Sequence, residues 1–216
     1  MKIAIIGATG FVGAPILREA VSRGHQVLAL TRNAKNIPAT GSVAVEKVDV
    51  NDTAALAQAI TGYDVVIHAF APPRSDSVET RIARQTQGTG SIIKAIKQSG
   101  VPRLVAVGGA GTAEAAPGVA LMNSYFFPPE YEGGARSTAV IKNLLQSEAA
   151  FDWVFISPPN ILEEGPRTGN YRTGKDNLII ELSTGRSYMS TQDYAVAMLD
   201  EIERPRHHRQ RFTVGT

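Results

Sequence analysis

The chain of 216 residues contains no cysteine. That absence excludes disulfides, thiolate nucleophiles and cysteine-ligated zinc or iron–sulfur sites, and it agrees with a reducing, cytoplasmic setting. No apolar run approaches the length of a membrane span, so no membrane partner is expected. The N-terminus lacks the basic stretch and apolar h-region of a signal peptide. The net charge is only +2, which gives no general argument for nucleic acid. The basic stretch from Arg204 to Arg211 has one aromatic, Phe212, close in sequence. A nucleic-acid patch would add stacking rings to such charge, so a solvated loop is expected. Neighbouring His207 and His208 diverge and are expected to have no carboxylate close by, so no metal site is expected. No internal repeat, low-complexity tract or linker divides the chain, and its length suits one domain with a substantial core.

What is present begins at the first residues. Gly7, Gly10 and Gly13 stand at three-residue spacing in MKIAIIGATGFVGAPILREAV. Ile3 to Ile6 read as a short buried strand. Pro15 to Val21 read as a helix, with apolar Ile16, Leu17, Ala20 and Val21. A strand feeding a helix through glycines is the context in which this spacing has mechanical meaning. Glycine takes a positive φ in the tight turn, and its missing Cβ lets the backbone approach a pyrophosphate. The first N–H groups of the helix, and its dipole, then face the phosphates.

A second absence bears on which dinucleotide. An NAD-type site carries an acidic residue after the second strand, about twenty residues on, to bond the ribose 2′-OH. Here the strand Gln26–Thr31 is followed by Arg32 and Asn33. A guanidinium grips a phosphate with two bonds, so Arg32, helped by Arg18 on the first helix, predicts NADPH, with NADH as the alternative.

The rest of the chain alternates between short Val/Ile/Leu/Ala runs and helical patterns. Strands are expected at Lys2–Ile6, Gln26–Thr31, Val43–Val48, Asp64–His68, Arg103–Val107, Trp153–Ser157 and Arg211–Val214. Helices are expected at Phe11–Ser22, Thr53–Ile60, Ser77–Gln98, Gly134–Ala150 and Thr191–Ile202. Near-continuous apolar runs suit strands buried on both faces of a parallel sheet. With right-handed crossovers this alternation predicts an α/β fold: a doubly wound parallel sheet, the NAD(P)-binding Rossmann fold, in a single domain over residues 1–216. Two stretches lack periodicity, Gly108–Glu132 and Pro158–Ser187. Both follow strand C-termini, where ligands of open α/β sheets bind, so the substrate side is expected to come from 108–132 and 158–187.

These residues match a family. Gly7-Ala8-Thr9-Gly10-Phe11-Val12-Gly13, Arg32, and Asp49-Val50 after strand three resemble the atypical short-chain dehydrogenase/reductases. The resemblance narrows with Val107-Gly108-Gly109-Ala110-Gly111, Ser157-Pro158-Pro159 and Gly165-Pro166-Arg167-Thr168-Gly169 with Tyr171-Arg172. The tail from Asp193-Tyr194-Ala195 to Arg211-Phe212-Thr213-Val214-Gly215 narrows it further. Together they look like the NAD(P)H-flavin reductase-like, biliverdin reductase B-like branch. The resemblance spans essentially the whole chain. It implies that Gly7 to Val12 (Gly7, Ala8, Thr9, Gly10, Phe11, Val12) hold the pyrophosphate. It implies that the Asp49 side chain or the Val50 backbone meets the adenine amine. Ala69, Phe70 and Ala71 would pass beneath the adenosine ribose and phosphates. Gly108, Gly109 and Ala110 would lie near the nicotinamide ribose. Pro158, Pro159, Asn160 and Ile161 would border the nicotinamide and could bond its carboxamide. Without the resemblance, Asp49 is equally a turn residue and the double proline a strand terminator.

The chain departs from the family at the proton donor. Many members carry a Tyr-x-x-x-Lys pair on the helix after strand five and a serine on that strand; the lysine lowers the tyrosine pKa and the phenol protonates as hydride arrives. Here Tyr125 and Tyr131 are followed four residues on by Pro129 and Ala135, and the serine position falls on Gly109. Tyr171 and Lys175 have the spacing but sit in a segment without helical periodicity, and are read as a chance match. Without an acid, carbonyl chemistry is disfavoured. A flavin asks less, because its N5 accepts hydride directly and charge at N1/C2=O is met by water or backbone N–H. The expected activity is an NADPH-dependent reduction of a small-molecule acceptor, with flavin as substrate rather than bound prosthetic group. Two alternatives stay open. One is a dinucleotide-binding sensor of the NmrA-like kind, favoured by the missing pair. The other is a nucleotide-sugar epimerase or dehydratase, disfavoured by that absence and by the short length.

Asn123, Tyr125, Phe126, Phe127 and Tyr131 form an aromatic cluster that either lines the acceptor pocket or packs its own loop. Arg167 and Tyr171 are further candidates for the acceptor's phosphate or ring. His68 is read as a hydrogen-bonded strand-end imidazole and Trp153 as core.

Overall fold

The computed structural model describes residues 1–32, 37, 41–125 and 127–216. Asn33 and Phe126, both singled out above, lie outside the described residues. In chain order the first half comprises β1 (Lys2–Ile6), α1 (Gly13–Ser22), β2 (Gln26–Thr31), β3 (Val43–Lys47), α2 (Thr53–Ile60), β4 (Val65–His68), α3 (Val78–Ser99) and β5 (Arg103–Val107). The second half comprises β6 (Glu114–Ala116), β7 (Val119–Ala120), α4 (Glu132–Gln146), β8 (Asp152–Ser157), β9 (Ile161–Glu163), β10 (Arg172–Gly174), β11 (Tyr188–Ser190), α5 (Thr191–Glu203) and β12 (Gln210–Gly215).

The strands of the main sheet lie in the order β10-β12-β8-β5-β4-β1-β2-β3. All pair in parallel except β10, which runs antiparallel to β12 at the edge. Alternate side chains of each strand feed two cores. Ile3 and Ile5 join Ile16, Ala20, Tyr194, Met198 and Ile202 from α1 and α5 on one face. Ala4 and Ile6 join Leu56, Ile92, Ile96, Ile141 and Leu145 from α2, α3 and α4 on the other. Strand order reverses between β1 and β4, the switch point of a doubly wound sheet, and a crevice opens there above the strand C-termini.

The expected elements are all present, and their limits shift where local hydrogen bonds intervene. The helix expected to reach Ala150 stops at Gln146, because the Glu148 carboxylate accepts the N–H groups of Ala149 and Ala150 and turns the chain towards β8. The strand expected at Val43–Val48 ends at Lys47, and it is largely exposed because it is the sheet's terminal strand. The aperiodic stretches hold β6 and β7, the edge strand β10, and β9, which pairs in parallel with β11 just beyond them. Each of these strands spans two or three residues, too few for a periodicity to show. No helix among the described residues is long and apolar enough to cross a membrane.

Candidate functional site

The site is built from loops that leave neighbouring strand ends. Gly7 turns the chain out of β1 at φ +87°, and its N–H donates to the Leu30 carbonyl of β2 at 3.1 Å. A Cβ on Gly7 would stand 2.5 Å from the Ala69 carbonyl oxygen, so the turn nests directly against the segment leaving β4. A Cβ on Gly13 would stand 2.1 Å from the Gly7 oxygen, so α1 starts hard against the turn. Gly10 N–H closes the loop onto Gly7 O at 3.0 Å. Both glycines fill the steric roles of a dinucleotide loop.

The start of α1 is open. The Ser77 hydroxyl caps α3, Asp52 caps α2 and Ser190 caps α5, whereas α1 and α4 have no side-chain cap. Among the described residues, the N–H groups of Thr9, Phe11 and Val12 have no backbone partner. Unpaired donors at the positive end of a helix dipole are the chemistry that holds a pyrophosphate. These residues therefore fit a nicotinamide dinucleotide.

The remaining expected contacts line the same edge. Thr9 and Thr31 hydroxyls meet at 3.3 Å and tie the glycine loop to β2, directly before exposed Arg32. The exposed Asp49 carboxylate accepts the Asn51 N–H at 2.9 Å, so it serves as a turn residue, and buried Val50 follows it. Ala69 and Phe70 are half-buried and Ala71 exposed. Arg74 lies over the Phe11 ring at 5.9 Å and bridges the β1 and β4 loops.

At β5, Gly108 N–H donates to Ile156 O at 2.9 Å, and a Cβ there would strike that carbonyl. A Cβ on Gly109 would fall 2.4 Å from the Thr138 hydroxyl of α4. The family's serine position is thus closed by Thr138, which donates to Gly134 O at 2.6 Å. Ala110 opens a short helical turn whose Thr112 meets the buried Ser157 hydroxyl at 3.2 Å. Pro158 and Pro159 are buried. The N–H groups of Asn160 and Ile161 are already donated to Ser187. A carboxamide at that loop would meet carbonyls or the Asn160 side chain instead.

The acceptor candidates divide. Exposed Asn123, with Tyr125 (95% exposed) and Tyr131 (62% exposed), projects from the loop before α4. The side chains of both tyrosines stand largely in solvent. Arg167 and Tyr171 do not join them. Arg167 forks onto the buried Glu19 carboxylate of α1 at 2.7 and 2.8 Å and holds that carboxyl below the usual range. The Tyr171 hydroxyl donates to Asp200 of α5 at 2.7 Å, and burial together with that carboxylate raises its pKa. Thr168 and Gly169 are fastened to buried Asp193. This motif anchors the loop, and the two candidates have spent their polar groups on it. Tyr171 and Lys175 flank β10, about 13 Å apart along an extended chain, so they cannot act as a helical pair.

His68 is fully buried, accepts or donates at Thr89 Oγ1 (3.0 Å), and begins a chain through Gln85 to Ser137 of α4. Burial pushes its pKa down to about 4. The C-terminal histidines do have carboxylates close in space: His207 lies 2.8 Å from Glu201 and His208 2.9 Å from Asp152. These are paired contacts, and no group of three or more metal-ligating side chains assembles among the described residues. The sequence reading missed Thr138, whose spacing to Lys142 repeats the i,i+4 geometry without the tyrosine, and it missed Arg81 on α3.

Comparison with known proteins agrees with this geometry. Residues 7–205 match a family model for NAD(P)H binding. The uncharacterized protein YwnB of Bacillus subtilis is 39% identical over 218 residues, covering 99% of this chain and 98% of its own. A crystal structure from Bacteroides thetaiotaomicron, provisionally called an epimerase, superposes with TM-score 0.89 at 39% identity, covering 99% of this chain and 96% of that one. Another from Streptococcus pneumoniae, provisionally called an NADH-flavin reductase, superposes with TM-score 0.87 at 28% identity, covering 100% and 99%.

Proposed function

The chain belongs to the NAD(P)H-binding family of Rossmann oxidoreductases, and on that premise we propose that it passes a hydride from NADPH to a flavin or a related conjugated acceptor. When bound, the reduced nicotinamide supplies the hydride. Gly7 to Val12 and the open start of α1 hold the pyrophosphate. Arg32, with Arg18, takes the 2′-phosphate; Asn33 is proposed with them from the sequence. Asp49 and Val50 border the adenine, and Ala69 to Ala71 the ribose. Gly108, Gly109, Ala110 and Pro158 to Ile161 frame the reactive ring. The acceptor side is built from 108–132 and 158–187. Glu114 N–H donates to Asp176 O at 2.7 Å, which joins those two loops. Asn123, Tyr125 and Tyr131 border the opening.

One observation carries the choice of acceptor. Thr138 closes the position beside Gly109 where a serine would stand, and no tyrosine–lysine pair lies on α4. The chain positions two rings and provides no phenolic acid, which suits an acceptor that takes hydride directly. Steady-state NADPH oxidation with FMN, riboflavin and quinones tests this. Saturable turnover of a flavin is expected. Tight NADPH binding with no turnover of any acceptor would support the sensor reading instead.

A further inference from the structure

Three arginines on α3 and α4 invite comparison. Arg84 pairs with Asp76 at 3.0 Å, and Arg136 pairs with Glu132 at 2.6 Å. Arg81 pairs with nothing: its side chain makes no hydrogen bond or ion pair among the described residues, and its Nε is shielded from solvent without a partner. An unpaired, partly desolvated guanidinium is costly in a folded protein unless a ligand completes it.

Its place is specific. α3 and α4 both start at the sheet's C-terminal edge and run side by side. Gln85 reaches Phe70 O at 3.5 Å and meets Ser137 at 3.2 Å. Arg81 stands one helical turn closer to that edge, about 6 Å. A Cβ on Gly133 would lie 2.9 Å from one terminal nitrogen of Arg81, and one on Gly134 would lie 3.5 Å from the other. The guanidinium therefore rests on backbone that only glycine leaves bare. Phe70 packs over Gly88 of the same helix. Thr138, the residue against Gly109, donates to the carbonyl of Gly134, the glycine beside the guanidinium. The unpaired fork thus caps the α3–α4 side of the ring-binding edge, away from the pyrophosphate loop at α1.

We propose that Arg81 grips the phosphate of a phosphorylated flavin acceptor, and so selects FMN over riboflavin. This rests on the flavin reading of the same site. A planar guanidinium presents two parallel donors to phosphate oxygens, and a fixed stem lowers the entropy lost on binding.

The test compares kcat/KM for FMN and riboflavin, with NADPH saturating, in the native protein, Arg81→Gln and Arg81→Lys. The native protein is expected to prefer FMN. Arg81→Gln should cut that preference about ten-fold or more, as for a lost charged hydrogen bond. Arg81→Lys should fall between, keeping the charge but losing the fork. The effect should sit in KM for FMN, with KM for NADPH unmoved. Equal losses on both flavins, an unchanged FMN preference, or a raised KM for NADPH would each overturn the proposal while leaving flavin reduction standing. If neither flavin is turned over, the acceptor reading itself fails. Inorganic phosphate titrated into the NADP-loaded protein then decides on Arg81: binding that Arg81→Gln abolishes supports an anion site, and no binding overturns it.

Discussion

Where the strands begin, Arg23 holds Glu19, Asp200 and Glu203 together at 2.7 to 2.9 Å. Nearby, Arg103, 6% exposed, bonds Asp152, Glu201 and the His207 carbonyl. Where the strands end, among the described residues, α1 starts without a side-chain cap, loop N–H groups before it have no backbone partner, and Arg81 has no counter-ion. One edge of the sheet uses its polar groups to join α1 to α5 and β5 to β8 and α5. The other leaves them open and uses glycine to make room. Paired buried charge marks structure, while open donors beside a glycine turn mark a site that a ligand completes.

Four measurements can break or sharpen this contrast. Arg103→Ala strips the guanidinium from both Asp152 and buried Glu201, and should cost about 3–5 kcal/mol in denaturant unfolding with NADPH affinity retained. A large loss of affinity in that variant would mean the two edges are not separate.

His68 belongs to the open edge but acts on stability. Its folded pKa is about 4, against an ordinary value of 6.5. Between these values the unfolded chain takes up a proton that the folded protein refuses, so stability falls as pH drops from 6.5 towards 4 and levels off below. The span is on the order of 3 kcal/mol. His68→Gln should flatten that slope in unfolding curves across the window; an unchanged slope would assign it to other groups.

Gly13→Ala places a Cβ against the Gly7 oxygen and should weaken NADPH binding about 100-fold by calorimetry, or about 2.7 kcal/mol. The smallest effect is expected at Arg32→Ala. It should raise KM for NADPH about ten-fold while leaving NADH nearly unchanged, in line with one lost charged contact. Equal use of both cofactors in the native protein would remove Arg32 from the site.

Much of this was legible in the chain. The glycine turn and the strand–helix alternation are local patterns: three φ- or contact-limited positions, and apolar runs of strand length. His68 was readable as a bonded strand-end imidazole. The Arg167 motif was readable as a motif but not as an anchor, because Glu19 lies 148 residues away in sequence. The Asp152 carboxylate beside His208 was invisible for the same reason, since it lies 56 residues away; Glu201 beside His207 is only six residues away, and what hid it is the turn after α5 that folds His207 back onto the helix. Nothing in the sequence around Arg81 sets it apart; the glycines of α4 that it rests on lie about fifty residues further along the chain.

The amino-acid order by itself determined the crossover from β1 to α1, the parallel sheet and the absence of a tyrosine–lysine pair, since each is written in neighbours or in spacing along one element. Only the tertiary structure decided which cations are paired and which stand open. Charge pairing depends on groups that the chain brings together from distant positions, and the free energy of a buried guanidinium is set by what finally surrounds it.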